Sequence, residues 1–411
     1  MKINKHCFPN GLRLVHYEDT STQMVALNIV YDVGARDEHP EHTGFAHLFE
    51  HLMFGGSAHI PDYDTPLQLA GGENNAWTNN DITNYYLTVP KPNVETAFWL
   101  ESDRMLELAF SEQSLEVQRG VVMEEFKQRC LNQPYGDVGH LFRPLAFRVH
   151  PYRWPTIGKE LSHIEQATLD EVKSFFYRFY APNNAVLAVT GNISWDETVK
   201  LTEKWFAPIP RRDVPVRQLP LEPEQTQERR LTVERNVPLD ALFMGYHMCS
   251  REGADYYAFD ILSDILSNGR SSRLNRRLVQ EQNIFSGIDA YISGTRDAGL
   301  LQISGKPAAG VSLEQAEAAV RKELEELQRS PVDGQELEKV KNKFESTQIF
   351  GNINYLNVAT NLAWFELTGK AEDIDLEVER YRSVTTEQLH TVAQRTFCES
   401  NAVVLYYKSD K

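Results

Sequence analysis

Cysteine is scarce in this chain: 411 residues carry four, and they are widely spaced. Cys7, Cys130, Cys249 and Cys398 form no C-x-x-C pair, which excludes a disulfide framework and a cysteine metal cluster and leaves mostly buried free thiols. Long apolar runs are missing as well, and no stretch approaches the roughly 18 residues of a membrane-spanning helix. Met1 to Pro9 contains basic residues with no apolar run behind them, unlike a signal peptide. These absences make a cytoplasmic location the expectation. Positive charge is the scarcer sign, 42 Lys and Arg against 58 Asp and Glu, for a formal net charge of −16. That balance argues against nucleic acid or a membrane as partner and is compatible with basic peptides, although such an excess commonly is only a solvated surface. What remains is an ordinary globular composition, 41% hydrophobic and 24% charged, in a chain long enough for two or three domains.

The informative stretch runs from Gly44 to Phe54. At about 100° per residue it reads as a helix with Phe45, Leu48, Phe49 and Leu52 on one face. His47 and His51 project from the opposite side, one turn apart, with Glu50 beside them. Histidines at i and i+4 can place two imidazole nitrogens on one metal ion, and Zn²⁺ accepts such nitrogens at about 2.0–2.1 Å. A carboxylate one residue before the second histidine can take a proton from water at the open position. Paired helical histidines are usually surface or satisfied core residues. Here they sit in an otherwise apolar segment, where unpaired titratable groups are costly, and H-x-x-E-H is the inverted zinc-peptidase pattern. Thr43 is the expected cap of this helix.

A second helix is expected over residues 112–131. Leu115, Gln118, Val122, Glu125 and Phe126 form its inward stripe, and Glu124 falls nearly opposite. Glu125 is therefore the inward carboxylate. Either a metal or a salt bridge to a nearby arginine would resolve its burial.

The rest of the chain reads as strands near 12–17 and 24–33, a polar run from Asn74 that becomes a strand by Pro90, and helices at about 65–70 and 93–109. Residues 132–165 read as irregular. A helix at 169–180, a strand at 185–190 and a helix at 195–206 follow. Five prolines between Pro208 and Pro223 mark a linker. The division is 1–212 as a zinc-binding catalytic domain, 213–225 as the linker and 226–411 as a metal-free homologous domain. Phe259–Leu266 lies over Ala46–Met53 and Thr385–Tyr406 over Thr168–Val189, at offsets of 213 and 217 residues. The two offsets agree closely enough to indicate an internal duplication. In the second copy the polar trio becomes Asp260, Ser263 and Asp264.

Taken together, these residues resemble the pitrilysin/insulinase zinc peptidases, and among them bacterial relatives of the mitochondrial processing peptidase catalytic subunit. The likeness covers nearly the whole chain. It rests on His47-Leu48-Phe49-Glu50-His51, on Val121 to Glu125, on Asn75-Ala76 with Thr78, Asp81, Thr83 and Tyr85, and on His150-Pro151-Tyr152 with Ile157-Gly158. The resemblance implies an α+β fold of two similar domains, each a mostly antiparallel sheet with helices packed on it, enclosing a chamber. It implies one Zn²⁺ per chain on His47, His51 and Glu125, with Glu50 as general base. Asn75 and Ala76 become edge-strand residues that pair with substrate; from the residues alone, Asn75 reads as a turn residue.

Two positions depart from the family. Gln118 stands where a second glutamate is usual. Val279 and Ser286 stand where many members carry an Arg and a Tyr that grip substrate, with Arg276, Arg277 and Tyr291 close by. The implied activity is endopeptidase cleavage of unfolded or presequence-like peptides, by a dimer with a related non-zinc chain or with itself. The alternative is a non-catalytic structural or assembly subunit.

Overall fold

The computed structural model describes residues 1–410. The chain forms two compact units, each built on one sheet. The first unit comprises residues 1–131, 154–220 and 349–376, and the second comprises 132–153, 221–348 and 377–411.

The strands of the first unit are β1 (Asn4–Cys7), β2 (Arg13–Glu18), β3 (Met24–Tyr31), β4 (Glu73–Thr78), β5 (Thr83–Pro90) and β6 (Ala185–Gly191). Their order across the sheet is β1-β2-β6-β3-β5-β4. Every pair is antiparallel except β2 with β6. The second unit holds β7 (Arg229–Arg235), β8 (Ala241–Met248), β9 (Phe285–Ile292), β10 (Gly299–Pro307) and β11 (Ala402–Ser409) in the order β7-β11-β8-β10-β9. Only β7 with β11 is parallel. Apart from β1, the orders are equivalent, and Met24 and Ala241, Val138 and Tyr355, Leu169 and Thr386, and Ala185 and Ala402 each begin matching elements 217 positions apart. The expected α+β architecture of two similar halves is what the chain adopts.

Both faces of the first sheet are covered, so β6 is buried along its whole length, as its continuous apolar run requires. On one face Leu27, Ile29, Leu87 and Leu187 meet Phe45, Phe49, Phe98 and Phe176 of the surrounding helices. On the other, Val15, Ala26, Val30, Val186 and Ala188 meet Val358, Leu362 and Ala363. Those last residues belong to the helix Tyr355–Thr368, far along the sequence. The second sheet mirrors this: Ala241, Val403, Leu405 and Tyr407 are covered by Phe142, Ala146 and Tyr152 from the first half of the sequence.

The linear division at 212 and 226 therefore does not describe the compact units. Each sheet has an apolar second face that needs cover, and the covering helix comes from the other half of the sequence. Residues 132–165 are accordingly not irregular throughout: the helix Val138–Ala146, with Pro144 inside it, lies in this stretch. Residues 127–131 of the expected helix 112–131 wind into a π-helical turn.

Candidate metal and catalytic site

The motif helix spans Phe45–Leu52. Phe45, Leu48, Phe49 and Leu52 are buried as their spacing requires, and the Phe49 ring stacks on Phe175 and Tyr180 at 5.0 and 5.1 Å. Thr43 does not cap this helix. Its hydroxyl accepts the Lys159 N–H and contacts His163 Nδ1 instead. The N-cap is Gly44 at φ +89°, with no side-chain cap of its own. A Cβ there would stand 2.8 Å from Ile164 Cδ1 and 2.9 Å from the Ile157 oxygen, so position 44 needs glycine for space as well as for its left-handed backbone. The amides of Gly44 and Ala46 donate to the two oxygens of Glu38, at 2.9 and 2.8 Å. Glu38 is 6% exposed.

The second functional helix, Glu112–Phe126, starts at Ser111, whose hydroxyl accepts the Ser114 N–H. Leu115, Val122 and Phe126 are buried. At its start it approaches the end of the motif helix closely: the Ser114 hydroxyl donates to the Gly55 carbonyl at 3.0 Å, and a Cβ on Gly55 would lie 2.6 Å from that hydroxyl. Its inward phase is as read from the stripe. The Glu125 side chain is 19% exposed and that of Glu124 57%.

This packing brings together residues more than 70 positions apart. His47 Nε2 lies 3.5 Å and His51 Nε2 3.4 Å from the same oxygen, Glu125 Oε2. Each residue offers a ligand atom within 4.8 Å of the others. For donors at about 2.0–2.1 Å around a tetrahedral ion, neighbouring donors stand about 3.3–3.4 Å apart, and the two His–Glu125 separations fit a His₂Glu zinc site. The other Glu125 oxygen, Oε1, accepts an ion pair from Arg129 Nη1 at 2.8 Å. The arginine pair is thus present on one oxygen, while the other oxygen faces the two histidines. Contact with His51 first, and the His47 and Arg129 charges, hold Glu125 below the usual carboxylate range. Burial pushes the His47 imidazole down to about 4. It is neutral at pH 7, the form in which histidine ligates metal. Its Nδ1 is buried without a hydrogen-bond partner among the described residues.

Glu50 shares the cleft with the three donors and with Asn75, Ala76 and Arg129. Burial raises its carboxyl above the ordinary value. Asn75 and Ala76 lie on β4, the edge of the first sheet, opposite Tyr86 and Tyr85 of β5. The Ala76 N–H donates to Asn75 Oδ1 at 2.8 Å. Gln118 is on the stripe but is placed beside Gly55, and it is not among the described residues lining the cleft. Glu38 and Arg129 were not singled out from the sequence. A signal existed for Arg129, an acid-to-base pair at i, i+4. Glu38 carried no such signal, because Thr43 is the cap that the sequence offers.

In the second unit the equivalent trio is engaged differently. The Tyr381 hydroxyl donates to the Asp260 carboxylate, and Asn268 Nδ2 donates to Asp264 at 2.7 Å. Arg277 pairs with Glu323 at 2.6 Å and also with Glu326. Arg276 lies 3.6 Å from Glu281. Tyr291 is 47% exposed.

Residues 13–137 match the family model described as Insulinase (Peptidase family M16), and residues 166–344 match the one described as Peptidase M16 inactive domain. The chain belongs to the insulinase family, peptidase family M16. It is 26% identical over 405 residues to the zinc protease PqqE of Helicobacter pylori, covering 97% of this chain and 91% of that protein. It is 25% identical over 406 residues to the uncharacterized zinc protease YmxG of Bacillus subtilis, covering 98% of each. The crystal structure of a protease from Helicobacter pylori superimposes with a TM-score of 0.93 at 26% identity, over 99% of both chains. Among the described residues no helix is long and apolar enough to cross a membrane.

Proposed function

We propose that this chain is a zinc-dependent endopeptidase acting on unfolded peptides or presequence-like segments. The observation that carries this reading is the convergence of His47 and His51 on one oxygen of Glu125, beside the half-buried carboxylate of Glu50. One Zn²⁺ per chain would be held by these three residues, and when bound it supplies Lewis acidity to the scissile carbonyl and to the attacking water. Glu50 takes a proton from that water on its carboxylate and delivers it to the leaving amine. Its raised pKa suits a group that must hold the proton between the two steps. The edge strand β4 presents backbone at Asn75 and Ala76 for strand addition by an extended peptide.

The partner proposed is a second chain, either a related non-zinc subunit or another copy. Support comes from Val279 and Ser286, where many members carry the Arg and Tyr grip, and from Arg277, already paired with Glu323 and Glu326. A reducing compartment such as the cytoplasm fits four cysteines of which none is paired.

The test is metal analysis and digestion of a mixed peptide library, wild type against Glu50→Gln. The variant is expected to keep zinc and lose cleavage by at least about 10²-fold. Full cleavage by the zinc-loaded variant removes Glu50 from the mechanism. A wild type that binds zinc and cleaves nothing, alone or with a related chain, turns the reading to a structural or assembly subunit.

A further inference from the structure

We propose that Arg217 and Glu38 are positioning residues: the segment joining the two halves of the sequence is buckled by Arg217 onto the loop whose Glu38 caps the helix carrying His47, Glu50 and His51. This deepens the peptidase reading and rests on it for its catalytic consequence.

The motif helix has eight residues, so its first turn is nearly half of it. Helix-start amides need acceptors, and here they come from Glu38, outside the helix, with one oxygen on Gly44 and the other on Ala46. A carboxylate suits that end of the helix dipole, but a buried one must be held ionised. Burial pushes Glu38 up to about 8, and the adjacent Asp37 charge opposes ionisation further. The group that pairs with Asp37 offsets part of that opposition and fixes the loop that aims both Glu38 oxygens at the two N–H groups.

That group is Arg217. Its Nε donates to Asp37 Oδ1 at 2.5 Å, its Nη2 to the Asp32 carbonyl at 2.5 Å and to Asp37 Oδ2 at 3.3 Å, and its Nη1 to Asp32 Oδ2 at 3.2 Å. All three nitrogens are used, a fork that lysine cannot reproduce. The short turn Ala35–Asp37 between these aspartates is otherwise fastened on its remaining sides. Its amides at Ala35 and Arg36 donate to the carbonyls of Asn79 and Asn80, Trp154 Nε1 donates to the Ala35 carbonyl, and Arg36 pairs with Asp81 at 3.2 Å. Arg217 is the contact that comes from the proline-rich segment, which has no regular secondary structure here. The linker is thus a strap buckled onto Asp37, whose neighbour in the chain, Glu38, holds the amide end of the motif helix.

The test uses the full zinc-loaded chain and compares Arg217→Ala, Arg217→Lys, Glu38→Gln and the Arg217→Ala/Glu38→Gln double variant. Three quantities are read: amide hydrogen exchange in peptides covering 43–52, zinc release to a chelator, and kcat separately from KM. Arg217→Ala is expected to speed exchange in 43–52 and zinc release by about tenfold, the low end for an outer-sphere support of a metal site. It lowers kcat by about 10- to 100-fold with KM changed much less. Lysine restores part of each effect, and the double variant is no worse than Glu38→Gln alone because both act on one path. Unchanged exchange in 43–52, or effects of Arg217→Ala and Glu38→Gln that simply add, overturns the proposal. If Arg217→Ala does not fold, Arg217→Lys and Glu38→Gln carry the same comparison. A wild type that cleaves no peptide defeats the peptidase reading, while exchange and zinc release still decide whether the strap holds the helix.

Discussion

Arg104 is 1% exposed. Its guanidinium donates to both oxygens of Glu101, through Nε at 3.0 Å and through Nη2 at 2.5 and 2.7 Å. Glu101 is equally buried and also accepts the Tyr63 hydroxyl at 2.5 Å. Three rings enclose the cation, Phe54 at 4.9 Å, Tyr63 at 4.6 Å and Tyr85 at 4.5 Å. Arg104→Met keeps the length of the side chain and removes the charge. Glu101 is then a buried carboxylate with only Tyr63 for company, and breaking a buried pair from one side costs about 3–5 kcal/mol. Lost cation–π contact adds about 0.5–2 kcal/mol per ring, partly recovered by sulfur–aromatic contact. The expected loss is about 5 kcal/mol, a large part of the roughly 5–15 kcal/mol that holds a domain.

Arg104→Met with Glu101→Gln removes the orphan charge and still leaves an acceptor for Tyr63. The double variant should regain about 3 kcal/mol over the single one. Urea unfolding followed by tryptophan fluorescence at low temperature measures both. The consequence reaches the site, because the Tyr85 hydroxyl donates to the Phe49 carbonyl of the motif helix at 3.2 Å. Zinc release should therefore quicken in the single variant and recover in the double. A double variant no more stable than Arg104→Met alone would refute the reasoning, since the orphaned charge would then not be the origin of the cost.

Glu125→Gln should strip zinc whereas Glu124→Gln should not, as read by metal analysis after gel filtration. The reverse result would place the wrong carboxylate at the site. Around Glu317, burial is outweighed by hydrogen bonds from Arg230, Tyr406 and Arg321, which bring its pKa to about 2. A depressed carboxylate stabilises the fold fully above its ordinary range near 4.5 and loses that contribution as pH falls through about 2. Glu317→Gln should thus cost about 1–2 kcal/mol at pH 7, allowing for partial solvent screening, and little near pH 2, as measured by denaturant midpoints across that window. Gln118→Glu should leave turnover unchanged, because the residue sits beside Gly55 and outside the cleft lining; a large gain in kcat would contradict this.

Much of the site was legible because it is written in helical spacing. Histidines at i and i+4 share a face whatever the helix packs against, and the stripe through Leu115, Val122 and Phe126 put Glu125 inward before its partners were known. The duplication was legible for a similar reason, since the same apolar pattern recurs at two nearly equal offsets, 213 and 217 residues. The strand β4 was harder. Glu73–Thr78 begins polar, and Asn75 alone reads as a turn residue; its place at the sheet edge comes from pairing with β5.

Tertiary structure decided what lies between elements. The Glu38 cap, the Arg217 buckle and the sharing of Glu125 between histidines and arginine join residues whose separation in sequence leaves no periodic trace. The helix Val138–Ala146 carries a proline and a short apolar face, so local propensity alone does not predict it; the second face of a sheet stabilises it. The same holds for the exchange of covering helices between the halves. Periodicity in the sequence specifies which face of an element seeks cover, whereas the identity of the cover depends on which distant surface the folded chain brings against it.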